Sequence, residues 1–198
     1  MALDMYIYAE KYTGGGYNHV RMAAEADPTG EAAQDVKLFE AATELIGLDV
    51  GEFPDMHSAY VKVQVGYWRK ANAIHNWFVE NVQGGRDECQ LSYVEREQLE
   101  ELLELVTQIR GEITVEDLQE VKGLFGTYSW SDTVEFSEVA KTLIQAELPP
   151  TGGFFFGSTE LDYSYVVDLD NTIQQLTTLL RATEDNKYGI EFYYQSSW

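Results

Sequence analysis

Four polar residues in one short segment could recognise an anionic ligand. Arg69 and Lys70 are adjacent cations in a chain whose formal net charge is −21. Asn72 and Asn76 follow at a spacing that places them with Arg69 along one stripe of a helix. A guanidinium group offers a planar fork for phosphate or carboxylate, and amide groups can read a hydrogen-bonding edge. The segment is therefore predicted to bind a small nucleotide-like ligand.

The same segment also allows a purely structural interpretation. Arg69 would then pair with one of the many acidic side chains of this chain. His75 would be a hydrogen-bonded histidine of the core, and the neighbouring tryptophan rings would fill apolar space. The sequence leaves the binding and the structural interpretation open.

A second group of residues could act through negative charge. From Asp87 to Glu120 the chain carries eleven acidic residues but only two arginines. Leucine and valine recur at helical spacing in this region, and the acidic residues follow the opposite side. We name as the acidic face the residues Glu97, Glu100, Glu101 and Glu104. This face is predicted to be either a solvated helix surface or a docking surface for a basic protein.

The sequence contains no pattern that indicates catalysis or metal binding. It has no nucleophile elbow, no zinc-ligand spacing, and no phosphate-binding or dinucleotide motif. Asp162, Asp168 and Asp170 could in principle hold a divalent ion, but Asp168 and Asp170 point in different directions on a helix. Cys89 stands alone and is predicted to be an inert thiol. We therefore predict a protein that is not an enzyme, with no catalytic residues, metal or cofactor.

The elements that must position these residues follow from the hydrophobic pattern. Alternation, or an aromatic run between glycines, predicts strands near 3–10, 60–66, 153–157 and 190–196. Apolar residues at helical spacing predict two helices over the sheet, at 67–82 and 163–182. The expected fold is α+β, a single domain with a small, mainly antiparallel sheet of about four strands and acidic helices outside.

Other local signals complete the prediction. Residues 31–46 have helical spacing, and Ser92–Glu95 forms the capping-box pattern of a helix start. Thr114 could cap a short helix at 115–122, and Ser131 or Asp132 could begin another helix that ends before Pro149. Glycines and prolines predict turns at the remaining breaks: 13–16, 27–30, 49–56 and 186–189.

Composition limits the compartment and the partners. The 44% hydrophobic content argues against disorder, and no apolar run is long enough to span a bilayer. The N-terminal residues lack the pattern of a signal peptide, so the cytosol is expected. The chain contains 34 acidic residues and only 13 basic ones, so it should repel free nucleic acid and anionic membranes.

Several long motifs together resemble one known family. They are the Leu-Asp-Met-Tyr start, the run from Tyr67 to Val79, the helix 96–103, the Gly-Phe-Phe-Phe-Gly-Ser-Thr run at 153–159 and the ending Phe192–Trp198. With these motifs the chain resembles a family of small uncharacterised proteins encoded by tailed bacteriophages. The resemblance implies a phage origin and action inside an infected bacterium, and it carries no settled activity. Residues 13–59 match least, which suggests a variable, insertion-like region.

Two functions from different classes follow. The first is a non-enzymatic protein that sequesters a nucleotide-derived defence signal in the cytoplasm of the infected host. The alternative is an acidic DNA mimic or protein inhibitor, whose acidic face would bind a basic host or defence protein. A second copy of the chain stays among the candidate partners, because the sequence does not determine the oligomeric state.

Overall fold

The structure combines a four-stranded antiparallel sheet with helices, which confirms the α+β prediction. The computed structural model describes residues 2–49, 53, 56–123, 126–153, 155–186 and 189–198. Most of the turn predicted at 49–56, and positions 187–188 of the turn predicted at 186–189, lie outside these described residues.

The described chain contains eight strands and six α-helices, with four strands in succession between the fourth and fifth helices. The strands are β1 (Asp4–Thr13), β2 (Ala59–Arg69), β3 (Ser92–Val94), β4 (Ile113–Glu116), β5 (Gln119–Gly123), β6 (Gly126–Trp130), β7 (Thr133–Phe136) and β8 (Glu191–Ser197). The helices are α1 (Asn18–Ala26), α2 (Glu31–Leu45), α3 (Asn72–Asn81), α4 (Arg96–Gly111), α5 (Glu138–Glu147) and α6 (Tyr163–Ala182).

The sheet has the strand order β2–β1–β8–β3. The strands predicted near 3–10, 60–66 and 190–196 are confirmed as β1, β2 and β8. Strand β3 pairs antiparallel with β8, with Ser92 opposite Tyr194 and Val94 opposite Phe192. Alternate side chains are buried along β8 and along the first half of β1, as the period of two requires.

The prediction of a strand at 153–157 is wrong. The described residues of this run form a loop, and Phe154 lies outside them. Phe155 and Gly157 have φ angles of 69° and 100°, in the left-handed region that a strand cannot use. The fourth strand of the sheet is β3 instead, which the capping-box pattern had assigned to a helix start.

The helix predicted at 67–82 begins five residues later, at Asn72, because β2 continues through Arg69. The backbone N–H of Tyr67 donates to Oε1 of Gln175 at 2.6 Å, and Nε2 of Gln175 donates to the carbonyl of Tyr67 at 2.9 Å. The Gln175 side chain therefore supplies the backbone hydrogen bonds that a neighbouring strand would otherwise offer to Tyr67. This partner is 108 residues away, so local periodicity could not indicate it.

The region after α4 contains strands where a helix was predicted. Except for Asp117 and Leu118, which connect the two strands, residues 115–122 lie in β4 and β5. These strands form antiparallel pairs with β7 and β6. Asp117 has a φ angle of 49°, which would interrupt a helix at its centre. The helix predicted from Ser131 or Asp132 begins later, at Glu138, where the Ser137 hydroxyl caps it by accepting from the N–H of Ala140.

The two long helices of the central region pack against each other. Helix α6 has the predicted bounds, and the side chain of Asp162 caps its N-terminus. Helix α4 begins at Arg96, and its capping box joins Glu95 and Gln98 instead of Ser92 and Glu95. Their buried apolar residues form much of the core: Leu99, Leu102, Val106, Ile109, Val166, Leu169, Leu176 and Leu180.

The chain forms two compact units. One comprises Met1–Tyr8, Gln64–Asp185 and Phe192–Trp198, and the other comprises Ala9–Val63 and Asn186–Glu191. The second unit contains all of region 13–59, and within it α1 packs on α2. The predicted single domain stays a prediction. Among the described residues, none of the helices combines the length and apolarity needed to cross a bilayer.

The glycine run at 13–16 is closely packed in the second unit. A Cβ on Gly15 would lie 2.5 Å from the carbonyl oxygen of Asp35, and the N–H of Gly14 donates to the Asp35 carboxylate at 2.9 Å. The glycines are needed because α2 approaches their backbone, and the N–H of Gly14 already has a carboxylate as its partner.

Candidate functional site

Three of the four predicted ligand-binding residues line one cavity. Arg69, Lys70 and Asn72 contribute to a cavity of about 310 Å³ that lies entirely within the first unit. Asn76, one helical turn beyond Asn72, is half-buried on α3 and does not line this cavity. We name it the β2–α6 cavity, after the junction that follows β2 and the start of α6. Its described lining residues are Arg69, Lys70, Asn72, Ala73, Gly157, Ser158, Glu160, Asp162, Ser164, Tyr165 and Asp168.

The two cations of the cavity are accessible. The side chain of Arg69 is 64% exposed, and its Nε lies 4.0 Å from Asp4, at the limit of an ion pair. The carboxylate of Asp4 also accepts a hydrogen bond of 2.5 Å from the hydroxyl of Tyr67, which raises the pKa of Tyr67. Lys70 is exposed. Such loosely held cations keep most of their capacity to bind an anion.

The backbone at Lys70 has an unusual conformation. Its φ angle is 63°, its N–H donates to the carbonyl of Leu3 at 2.8 Å, and its carbonyl accepts from the N–H of Asn72 at 2.9 Å. A Cβ on Gly157 would lie 3.0 Å from the carbonyl of Lys70, so the loop 155–158 packs closely here. Left-handed non-glycine residues persist only where the surroundings hold them, and they are frequent at functional sites.

Helix α3 begins at the cavity without a side-chain cap. Ala71 at the cap position offers no acceptor, and the first turn contains no acidic residue. The first N–H groups of a helix lack partners within the helix and carry partial positive charge. The N–H of Asn72 donates to the carbonyl of Lys70, so this charge comes from the next groups, beginning with that of the cavity-lining Ala73. Together with Arg69 and Lys70, this helix end gives one wall of the cavity an electropositive character.

Asn72 holds the wall of the cavity in place. Its Nδ2 donates to the carbonyls of Phe156 and Ser158 at 3.2 and 2.7 Å, and its Oδ1 accepts from the N–H of Thr151 at 2.9 Å. The residue is only 4% exposed. Because these three bonds use the hydrogen-bonding capacity of the amide almost completely, Asn72 positions Thr151, Phe156 and Ser158 instead of offering its amide to a ligand.

The opposite wall, formed by the start of α6 and the residues before it, is acidic. Asp162 uses its Oδ1 to cap α6 by accepting from the N–H groups of Ser164 and Tyr165. Asp168 is half-buried, and burial, reinforced by the charge of Asp162, raises its pKa to about 7. Burial also raises the pKa of Tyr165, whose hydroxyl donates to the carbonyl of Leu148.

The aromatic and histidine side chains of the segment belong to the core. Trp68, His75 and Phe78 are each at most 1% exposed. Nδ1 of His75 lies 2.7 Å from the hydroxyl of Tyr194, and Nε2 lies 3.0 Å from the carboxylate of Asp87. His75 is therefore the hydrogen-bonded core histidine that the structural interpretation expected.

The acidic face is exposed along α4. All four of its glutamates are exposed, and Glu100 pairs with Arg96 at 2.9 Å. Both arginines of α4 contact α6: Arg96 donates to the carbonyl of Leu180, and Arg110 donates to the carboxylate of Asp170. Arg96 also donates to Glu184, just after the end of α6. In the described part of the chain, Glu97, Glu101 and Glu104 make no ion pair.

The acidic wall of the cavity was missed from the sequence. The sequence pattern suggested only metal ligation for Asp162 and Asp168. The described residues contain no group of three or more side chains suited to a metal ion. The available signal was the position of Asp168, three residues after the buried Tyr165 and four before the buried Thr172. An acidic residue on the apolar stripe of a helix indicates a special environment.

Comparisons with protein-family models, with curated proteins and with solved structures give no match to this chain. The resemblance to tailed-bacteriophage proteins therefore stays a prediction.

Proposed function

We propose that this chain is a non-enzymatic binding protein that sequesters a phosphate-bearing, nucleotide-derived signal in the β2–α6 cavity. The observation that carries the proposal is the convergence of Arg69, Lys70 and the uncapped start of α3 at one concave site. Concave sites with a few convergent polar groups and a perturbed pKa are the usual location of ligand binding.

The size of the site supports a small ligand. A volume of about 310 Å³ lies at the lower end of the range of roughly 300–1,000 Å³ for ligand pockets. This volume suits a mononucleotide better than a larger oligonucleotide. Sequestration demands affinity and no chemical step, in agreement with the absence of a recognisable catalytic motif from the sequence.

The biological setting is part of the same proposal. The protein would be encoded by a tailed bacteriophage and would act in the cytoplasm of the infected bacterium, where it would remove a signal made by a defence system. The motifs from Tyr67 to Val79 and from Phe192 to Trp198 support this setting through the family resemblance alone.

The test is depletion of a nucleotide from solution. Purified protein is mixed with a nucleotide extract from bacteria with an activated defence system, removed by filtration and denatured, and both fractions are analysed by mass spectrometry. The protein should deplete a nucleotide and release it intact. The double variant Arg69→Glu/Lys70→Glu should lose this capacity, whereas Arg181→Glu, a charge reversal at an exposed position of α6, should keep it.

Two results would contradict the proposal. One is that no nucleotide is depleted by the folded protein. The other is that the variant with reversed charges at Arg69 and Lys70 depletes the nucleotide as well as the unmodified chain.

The exposure of the acidic face supports a second candidate function, inhibition of a basic host or defence protein. Glu97, Glu101 and Glu104 are exposed on α4, while the two arginines of the helix contact α6. Carboxylates four residues apart on a helix are separated by about 6 Å along its axis, which allows several contacts with one basic groove.

A pull-down from host lysate at low salt tests this second candidate. It should recover a basic protein that dissociates as salt rises. Changing Glu97, Glu101 and Glu104 to lysine should abolish recovery, and Arg69→Glu should not. Recovery of neutral or acidic proteins alone would contradict it.

A further inference from the structure

The acidic wall of the β2–α6 cavity has an unused carboxylate. In the described part of the chain, the side chain of Asp168 makes neither a hydrogen bond nor an ion pair, although its carbonyl accepts from the hydroxyl of Thr172. Glu160 and Asp162 line the same cavity, and Asp162 already uses Oδ1 for the helix cap. Asp168 is therefore the half-buried acceptor that is free to receive donors from a ligand.

A half-buried carboxylate without a partner is energetically unfavourable. Removal from water penalises the charged form unless N–H or O–H donors replace the lost hydration. Burial accordingly raises the pKa of Asp168 to about 7. A ligand that brought two N–H donors to this carboxylate would relieve the penalty, and a ligand that brought acceptors would increase it.

The two walls together define the chemistry of the ligand. Arg69 and Lys70 favour a phosphate on one side, and Asp168 favours adjacent N–H donors on the other. Guanine presents two such donors side by side, N1–H and the N2 amino group, which match the two oxygens of a carboxylate. Adenine presents an acceptor, N1, beside a single amino group, so one carboxylate oxygen would face a lone pair.

We propose that the cavity binds a guanine mononucleotide, with its phosphate at Arg69 and Lys70 and its N1–H and N2 amino group at the Asp168 carboxylate. This inference rests on the proposed function, because it specifies the ligand of the same cavity. Asn72 and the loop that it holds define the shape of the cavity, and Asp168 selects the base.

Calorimetric titration with guanosine monophosphate, adenosine monophosphate and inorganic phosphate tests the inference. At about pH 8, where Asp168 is largely ionised, the guanine nucleotide should bind at least about tenfold more tightly than the adenine nucleotide. Inorganic phosphate should bind more weakly than either nucleotide, because it reaches only the basic wall.

The variant Asp168→Asn should remove the discrimination. An amide offers one acceptor and one donor, which suits the edge of adenine better than that of guanine. Affinity for the guanine nucleotide should fall about tenfold or more, and affinity for the adenine nucleotide should stay constant or rise. Asp170→Asn is the matched control, because Asp170 lies on the same helix, pairs with Arg110 and does not line the cavity.

The ratio of the two affinities should also depend on pH. Preference for guanine should increase between about pH 6 and about pH 8, as Asp168 loses its proton. The titration of the phosphate group affects both nucleotides alike and cancels in the ratio. The other titratable or charged side chains that line the cavity are Arg69, Lys70, Glu160, Asp162 and Tyr165.

The outcomes separate this inference from the proposed function. Equal affinities for both nucleotides, lost in Arg69→Glu/Lys70→Glu, would overturn the selection of guanine and leave nucleotide binding intact. A preference for guanine that survives in Asp168→Asn would overturn the role of Asp168. Failure of both nucleotides to bind a folded sample would overturn the guanine ligand, and the extract experiment would then decide whether any other nucleotide is held.

Discussion

Asn72 and Asp168 show how differently two polar residues of one cavity can be used. The Asn72 amide forms its hydrogen bonds with the backbone of Thr151, Phe156 and Ser158, whereas the Asp168 carboxylate accepts none from the described residues. The first residue therefore contributes to stability and the second reduces it. At this scale, a residue without a partner is a stronger indication of ligand binding than one whose chemistry merely suits a ligand.

Replacement of Asn72 should destabilise the protein. Asn72→Ala would leave the N–H of Thr151 and the carbonyls of Phe156 and Ser158 without their partner. Urea unfolding should show a free energy of unfolding lower by about 2–4 kcal/mol. Asn76→Ala, one turn along α3, should change it by less than about 1 kcal/mol. Equal effects of the two substitutions would mean that the hydrogen bonds of Asn72 do not stabilise the fold.

Replacement of Asp168 should stabilise the protein in a pH-dependent way. The folded pKa of about 7 lies above the ordinary value, so the folded state binds the proton more tightly than the unfolded state. As pH rises from about 4 to about 7, ionisation of Asp168 in the folded state therefore lowers the free energy of unfolding. Asp168→Asn removes this cost.

Denaturant unfolding at several pH values measures the effect. The stability of Asp168→Asn relative to the unmodified chain should increase between about pH 4 and pH 7 and then level off, by on the order of 2 kcal/mol after allowance for solvent screening. A constant difference across this range would mean that the carboxyl of Asp168 has an ordinary pKa in the folded protein.

Elements were predictable where the signal is local. Helix α6 and strands β1 and β8 follow from spacing alone, because each has one apolar side and one polar side. The junction between β2 and α3 could not be predicted, because Gln175 of α6 decides it. The acidic wall was missed for a similar reason: Asp168 is about 100 residues from Arg69, and only the fold brings both to one cavity.

The contact between α4 and α6 depends on Arg96. Its guanidinium donates to the carboxylates of Glu100 and Glu184, the carbonyl of Leu180 and the hydroxyl of Thr183. Arg96→Ala should lower the free energy of unfolding by about 1–3 kcal/mol, because two of these acceptors belong to the buried residues Leu180 and Thr183. Arg181→Ala, at an exposed position of α6, is the matched control and should change it by less than about 0.5 kcal/mol. Similar decreases in the free energy of unfolding of both variants would show that Arg96 does not stabilise the contact between α4 and α6.

At the scale of the whole molecule, charge dominates. The chain carries 34 acidic and 13 basic residues, and the described ion pairs engage only a part of the acidic residues. Self-repulsion between like charges destabilises the folded state, and salt screens it. The net negative charge of the chain also repels free nucleotides. A site that binds a nucleotide must therefore concentrate positive charge locally, as the β2–α6 cavity does on one wall.

Salt should therefore stabilise the folded protein. Raising sodium chloride from about 20 mM to about 500 mM at neutral pH should raise the melting temperature by several degrees, because the Debye length falls from roughly 20 Å to about 4 Å. Thermal unfolding followed by circular dichroism measures this shift, and a melting temperature that falls with salt would mean that attractive ion pairs outweigh the repulsion.

The central claim is that the β2–α6 cavity holds a phosphate-bearing nucleotide. A crystal structure of protein loaded with a bacterial nucleotide extract tests it most directly. The account predicts density for a nucleotide whose phosphate oxygens lie within about 3 Å of Arg69 or Lys70, with a base next to Asp168. A bound nucleotide at any other place, or a cavity that holds none in crystals grown from loaded protein, would contradict the account.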